Sequence, residues 1–269
     1  MKTHLYIGTS GWHYNHWLGL FYPPEITGYN ELRYHAEHFN TVENNSSFYR
    51  IASEATYKTW SRMTPENYKF SMKLNKLITH VHRLELNKEV KEKVCYILTS
   101  TQVLQNKLGV ILIQLPPSFK YDLERLDKFL SFLKNEIKSL EYKFDVAIEF
   151  RNKYWFIKEV YAILKKYNVA LVASQSSRYP EVRQVTADFA YIRMHGPVKL
   201  FSSPYTAEQL EDWAAYIKSI SKKMKQIFVY FNNDFHGFAL ENAKELSAIL
   251  NFKITQSKSN IQNSHREAK

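Results

Sequence analysis

Six stretches of this 269-residue chain place polar residues in the same way, each near the end of an apolar run. In DVAIEF (145–150) and the residue after it, Glu149 and Arg151 stand two apart. In AYIRMH (190–195), Arg193 and His195 do the same. NTVENN (40–45) supplies Glu43 and Asn45, KFSMKL (69–74) supplies Lys73, and GVILIQL (109–115) supplies Gln114. IFVYFN (227–232) ends in Asn232, with Asn233 and Asp234 just beyond. On extended backbone, residues two apart share a face. A face carrying carboxylates and an imidazole can move protons, so Glu149, His195 and Glu43 are the candidate acid–base groups. Lys73, Arg151 and Arg193 suit a phosphate or carboxylate, with arginine offering bidentate contacts. Asn45, Gln114, Asn232 and Asn233 complete the candidate binding set.

These groups can only meet if the runs lie side by side and point the same way. HLYIGTS (4–10) and VALVAS (169–174) bring the β-rich runs to eight. Helical patterns fall between them at 31–38, 53–63, 88–106, 122–137, 156–167, 206–220 and 239–250; the connection 175–188 carries the weakest helical signal. Ser53 and Asp122 are suited to N-caps, and Thr206 with Gln209 has capping-box spacing. Eightfold strand–helix alternation predicts a single-domain α/β fold, a (β/α)8 TIM barrel of parallel strands, near the typical length of about 250 residues. An open doubly wound sheet is the alternative, but no Gly-x-Gly-x-x-Gly turn follows the first strand. In a barrel the shared parity faces the lumen, and polar residues near the C-terminal strand ends mark the usual site. Val146, Ile148, Ile192 and Met194, of opposite parity, should face the helices.

The long first loop carries Trp12, Tyr14, Trp17, Phe21 and Tyr22. At 10–30 it is too long for a bare connector, which predicts a cover over the mouth with Trp12 and Trp17 as stacking residues. Packing of the loop on itself explains the same composition. Trp60, Trp155 and Trp213 fall in helical patterns and read as core; Cys95 reads as a packing residue.

The composition narrows the class. Hydrophobic residues make up 45%, enough for a sizeable core, and no apolar stretch could span a bilayer. The start MKTHLYIGTS has no signal-peptide core, and one cysteine excludes an internal disulfide framework. A cytoplasmic protein without a membrane partner is expected. The barrel domain should occupy 1–250, followed by a polar, basic, flexible tail at 251–269. The net charge of +11 favours anionic partners, either an anionic small molecule or nucleic acid, although 253–269 alone contributes +3.

Three chemistries compete. Glu43 and Glu149 could form a glycoside hydrolase pair if about 5–9.5 Å apart. Arg151 and Lys73 would hold both ionised, which disfavours an acid role. Glu43, Glu149 and His195 could hold a metal, and His80-Val81-His82 is a His-x-His, but no spacing matches a metal motif. No metal or cofactor is expected, and His80 is expected to bond backbone. Anion recognition uses all the cations. The bland account is a barrel plugged by charges, Lys73, Arg151 and Arg193 cancelling Glu43, Glu149 and Asp234. The residues do not decide whether the chain is an enzyme; hydrolase and lyase chemistry are the classes they could serve. A non-catalytic binder of nucleic acid or a metabolite is the remaining alternative.

The stretches IGTSGW, TVENNSSFYR, ITHVHRL, GVILIQLPPSF, AIEFRNKYWF, VTADFAYIRMHGP and YFNNDFHGFALENA run in order over roughly 5–250. With them the chain resembles the YecE-like family, domain of unknown function 72, which are TIM-barrel proteins. The resemblance implies that fold and points to the residues above, adding Tyr49 as a binding residue and His80. It implies no reaction. The chain departs from the family at Asn44, usually apolar, and at Ser174, usually Asp, with Ser176 and Ser177 in place of two glycines. Those changes count against a metal or acid role at the sixth strand end.

Overall fold

The computed structural model describes residues 3–252; most of the predicted tail, from 253 on, lies outside them. The strands are β1 His4–Ser10, β2 Thr41–Asn44, β3 Lys69–Lys73, β4 Leu108–Gln114, β5 Asp145–Glu149, β6 Val169–Leu171, β7 Ala173–Gln175, β8 Ala190–Met194 and β9 Gln226–Phe231. They form one sheet in the order β6-β5-β4-β3-β2-β1-β9-β8-β7, and every pairing in it is parallel. β6 and β7 are two halves of the sixth predicted run, parted at Val172. The first half pairs with β5 and the second with β8, so the sheet curls into a nearly closed barrel of eight positions.

The break has a local cause. Where β8 would flank β6, the Thr186 hydroxyl takes its place. It accepts from Leu171 N at 2.8 Å and donates to the Val169 carbonyl at 2.7 Å. One side chain thus satisfies backbone groups that a neighbouring strand would otherwise hold.

Seven helices cover the described barrel: α1 Tyr29–His38, α2 Glu54–Met63, α3 Lys88–Thr101, α4 Leu123–Ser139, α5 Lys158–Lys166, α6 Ala207–Ser221 and α7 Phe238–Ile249. Ser53, Asp122 and the Thr206–Gln209 box cap three of them. The pattern predicted over 88–106 is shorter as α-helix. It passes into a 3-10 turn at Gln102–Lys107, where Gln105 takes a left-handed φ of 51°. The connection 175–188 forms no helix. No described helix is long and apolar enough to cross a membrane.

Strand parity divides the interior. Ile111, Ile113, Val146 and Ile148 pack against helices on one side of the barrel, and Ile192, Met194, Val229 and Phe231 on the other. Val110, Leu112, Ala147, Tyr191, Phe228 and Tyr230 fill the lumen. Each large apolar side chain so buried contributes roughly 1.5–3 kcal/mol. The lumen turns polar toward the C-terminal ends, beginning with Tyr230 OH, which lies 2.6 Å from Thr41 Oγ1 and 2.8 Å from Ser71 Oγ. Gly8 shares the lumen parity for a steric reason: a Cβ there would stand 2.0 Å from the Thr41 carbonyl oxygen of the adjacent strand.

Candidate functional site

At the mouth, Arg193 on β8 is the hub. Its guanidinium donates through Nη2 to Glu43 Oε1 at 2.7 Å and through Nη1 to Glu149 Oε2. β2 and β5 stand three strands apart in the sheet, and this fully buried cation ties them together. Glu43 also accepts from Ser10 Oγ at 2.7 Å and from Tyr191 OH at 2.7 Å. Burial pushes the Glu43 carboxyl up, but Arg193, Tyr191 and Ser10 together hold it below its ordinary range. Glu149 accepts from Arg151 Nε at 2.8 Å. Burial opposes its ionisation too, and Arg193 with Arg151 hold it well below the usual carboxylate range. Neither carboxylate is placed to be protonated at neutral pH, which the acid of a glycosidase pair requires.

His195 lies within the same cluster. Its Nδ1 accepts from Asn232 Nδ2 at 3.0 Å, so the ring proton sits on Nε2, 3.6 Å from Glu149 Oε1. Burial and then Arg193 lower its pKa to about 4, leaving a neutral imidazole at pH 7. Among the described residues, four buried polar atoms around this cluster have no hydrogen-bond partner: Gln114 Oε1, Ser174 Oγ, Arg193 Nε and His195 Nε2. Orphaned polar atoms inside a fold are rare and call for an explanation, a ligand among them. Across the sheet register Gln114 stands beside Glu149 and Ser174 beside Arg193, so the orphans border one space.

Lys73 ends β3 on the same parity. Its ammonium stands 4.2 Å from the centre of the Phe48 ring and pairs with no carboxylate among the described residues. Burial first, then Arg193 and Arg151, bring its pKa down to about 7. Arg151 spends only Nε on Glu149; its guanidinium lies 4.4 Å from the Tyr179 ring centre, in the loop after β7. His80, in a single π-helical turn at Leu77–Val81, bonds the Thr79 hydroxyl at 2.9 Å rather than backbone, and faces Gln114 at 3.5 Å. Burial and Lys73 lower its pKa to about 4.

The structure therefore brings together Glu43, Glu149, Arg151, Arg193, His195 and Asn232, with Lys73, Gln114 and His80 beside them. The other candidates fall elsewhere. Asp234 is not part of the charge cluster, because Trp17 Nε1 donates to it at 2.7 Å and His16 pairs with it at 2.8 Å. Trp17 is fully buried by that bond and packs with Phe21, Tyr22 and Phe39 beside α7, so it is core rather than a stacking residue. Trp12 packs edge-on against Trp60 and lines a groove of about 500 Å³ with Tyr14, Tyr29, Asn45 and Trp60. The first loop thus packs on itself and on α2, with Trp12 and Tyr14 beside the C-terminal end of β2. Asn233 is buried against Ser203 and Asn242. Tyr49 is 77% exposed on the rim. Asn44 closes a turn through Ser47 N at 3.0 Å.

Sequence reasoning missed Ser10 and Tyr191, the two hydroxyls that complete the Glu43 shell. Both share the lumen parity, so the signal was present. Among the described residues no three of His, Cys, Asp and Glu converge as a metal would need.

A parallel barrel with a buried Glu–Arg–Glu network in its mouth defines the class. The particular family follows from comparison. The model of the protein of unknown function DUF72 matches residues 6–266, and the chain belongs to that family. It is 26% identical to the UPF0759 protein YunF of Bacillus subtilis (strain 168), over 93% of this chain and 96% of the relative. The UPF0759 protein YecE of Escherichia coli (strain K12) is 28% identical, over 57% of this chain and 51% of its own length. The crystal structure of a DUF72 family protein from Thermotoga maritima superposes with a TM-score of 0.79. It is 26% identical and covers 92% of this chain and 99% of its own.

Proposed function

We propose that the chain is an enzyme acting on an anionic, phosphate-bearing substrate at the C-terminal mouth of the barrel, a class that includes nucleic acid. The observation that carries this is the pair of cations left over after the buried network is satisfied. Arg193 is consumed by two carboxylates, whereas Lys73 has none and Arg151 gives its carboxylate only one nitrogen. An anion would supply the missing counter-charge, and the outer edge of Arg151 could grip it bidentately. The rim supports nucleic acid: Tyr49, Tyr121, Tyr154, Phe201 and Phe235 are exposed on different loops at this end. Aromatic platforms on a rim around the unbalanced cations Lys73 and Arg151 suit successive bases of a single strand.

A non-catalytic binder is the second reading. It is favoured by the commitment of all four Glu43 and Glu149 oxygens to donors, which leaves no free carboxylate base.

The test is fluorescence anisotropy with a labelled single-stranded oligonucleotide, alongside calorimetry with pyrophosphate. Oligonucleotide affinity should fall at least about tenfold between roughly 50 and 200 mM salt. Binding of pyrophosphate alone would remove nucleic acid and keep a small anion. Silence toward both at low salt would contradict the anion reading.

A further inference from the structure

From the placement of Lys73 we infer a second chemistry at this site: Lys73 is a nucleophilic amine that forms an imine with the open, carbonyl form of a phosphorylated sugar. The inference rests on the reading of the mouth as an anion site, and it adds the covalent step that the committed carboxylates cannot provide.

The geometry is specific to this lysine. Lys73 is the last residue of β3, on the lumen face, with backbone partner Leu112 on β4. Its carbonyl accepts from Ser47 Oγ at 2.7 Å, and Asn75 Nδ2 donates to the carbonyls of Ser47 and Phe48 at 3.2 and 3.1 Å. These bonds fix the turn after β2 to the end of β3 and hold the Phe48 ring under Nζ. His80 meets the same ring edge-on, with centroids 4.9 Å apart. The amine therefore has a platform and a set position, but no counter-ion among the described residues.

Lys73 is half-buried and pairs with neither of the two carboxylates in the same mouth, so among the described residues its charge is not balanced by a direct ion pair. The titratable and charged groups around it are Arg193, Arg151, Glu149, Glu43 and His80. Both guanidiniums repel the ammonium. The two carboxylates that would attract it are already held by those guanidiniums. The Phe48 ring favours the ammonium, but burial and the two guanidiniums outweigh it and favour the free base, the form with a lone pair.

The step balances without a redox partner. The Nζ lone pair attacks the carbonyl carbon, a C–N bond forms, and the carbonyl π pair moves to oxygen. The two protons that Nζ loses end on that oxygen, which departs as water. Amine plus carbonyl gives imine plus water. Arg151 would hold the phosphate, and the neutral His80 stands on the same ring to relay the protons.

The experiment uses the full chain with sodium cyanoborohydride and two probes, glycolaldehyde phosphate and glycolaldehyde, followed by peptide mass spectrometry. At pH 7 the reduced adduct should appear on Lys73 at least about tenfold faster than on Lys88 and Lys128, which stand exposed on helix surfaces. The phosphate probe should outpace the plain one. Lys73→Arg removes the nucleophilic amine and should lose the selective adduct while its melting curve stays cooperative. Equal rates for the two probes at Lys73 would keep the amine and remove the phosphate. Labelling spread evenly over surface lysines, with Lys73 no faster, would overturn the imine, and the anion reading would still stand or fall by pyrophosphate calorimetry.

Discussion

Replacing Lys73 with Met should strengthen the fold, an unusual result for a polar residue at a barrel mouth. The magnitude follows from its surroundings. Burial, with Arg193 and Arg151, takes the Lys73 pKa from the usual 10.5 to about 7. At about 1.4 kcal/mol per pH unit, the folded state loses at most about 5 kcal/mol by holding this group charged. Water at the mouth screens part of that, and Met forfeits the contact with Phe48, about 1 kcal/mol. A net gain of roughly 1–3 kcal/mol at pH 6 is expected. The pH dependence fixes the sign. Below pH 7 both folded and unfolded chains hold the proton, and the penalty is complete. From about pH 7 to 10.5 the unfolded chain keeps a proton that the folded chain has lost, so wild-type stability climbs with pH. The Met variant lacks that climb, and the two should converge toward the alkaline end. Urea unfolding at several pH values between about 6 and 9.5 reads both stabilities. A variant less stable than wild type at pH 6, or parallel pH profiles, would refute the reasoning and mean that the ammonium has a partner.

The carboxylates should behave in the opposite way. Glu43→Gln or Glu149→Gln leaves the buried Arg193 with one charged partner and should cost on the order of 3 kcal/mol, a fall of roughly 6–12 °C by calorimetry. An unchanged melting temperature would mean that the network is not holding β2, β5 and β8 together. Trp17→Phe loses the bond to Asp234 and should cost about 1–3 kcal/mol while pyrophosphate affinity by calorimetry stays within about twofold, since Trp17 is core. Ser174→Asp places a carboxylate across from Arg193 in the register and should weaken pyrophosphate binding roughly tenfold through the added negative charge. Gly8→Ala drives a Cβ against the Thr41 carbonyl and should abolish a cooperative melt or lower it steeply.

Much of the site was legible because a strand has period two. Glu43, Lys73, Gln114, Glu149, Arg193 and Asn232 could be assigned to the lumen from parity alone, and the lumen is where they stand. What parity cannot supply is partner choice. Nothing in the spacing shows that Arg193 takes both carboxylates and leaves Lys73 alone, or that Asp234 turns away to Trp17. Those outcomes depend on reach across the lumen. The split of the sixth strand was equally hidden, because Thr186, whose hydroxyl replaces a strand there, lies in a connection with no regular pattern. Trp17 reads differently in sequence and structure for a physical reason: tryptophan serves buried packing and ligand stacking alike, and here it is core.

The most direct test of the central claim, an anion site at the barrel mouth built on Lys73 and Arg151, is an anomalous-difference map from crystals soaked in tungstate as a phosphate mimic. The account predicts a peak within hydrogen-bond reach of Lys73 Nζ and the terminal nitrogens of Arg151, lost in crystals of Lys73→Met. Tungstate found only on exposed surface lysines, with the mouth vacant at concentrations that saturate them, would contradict it.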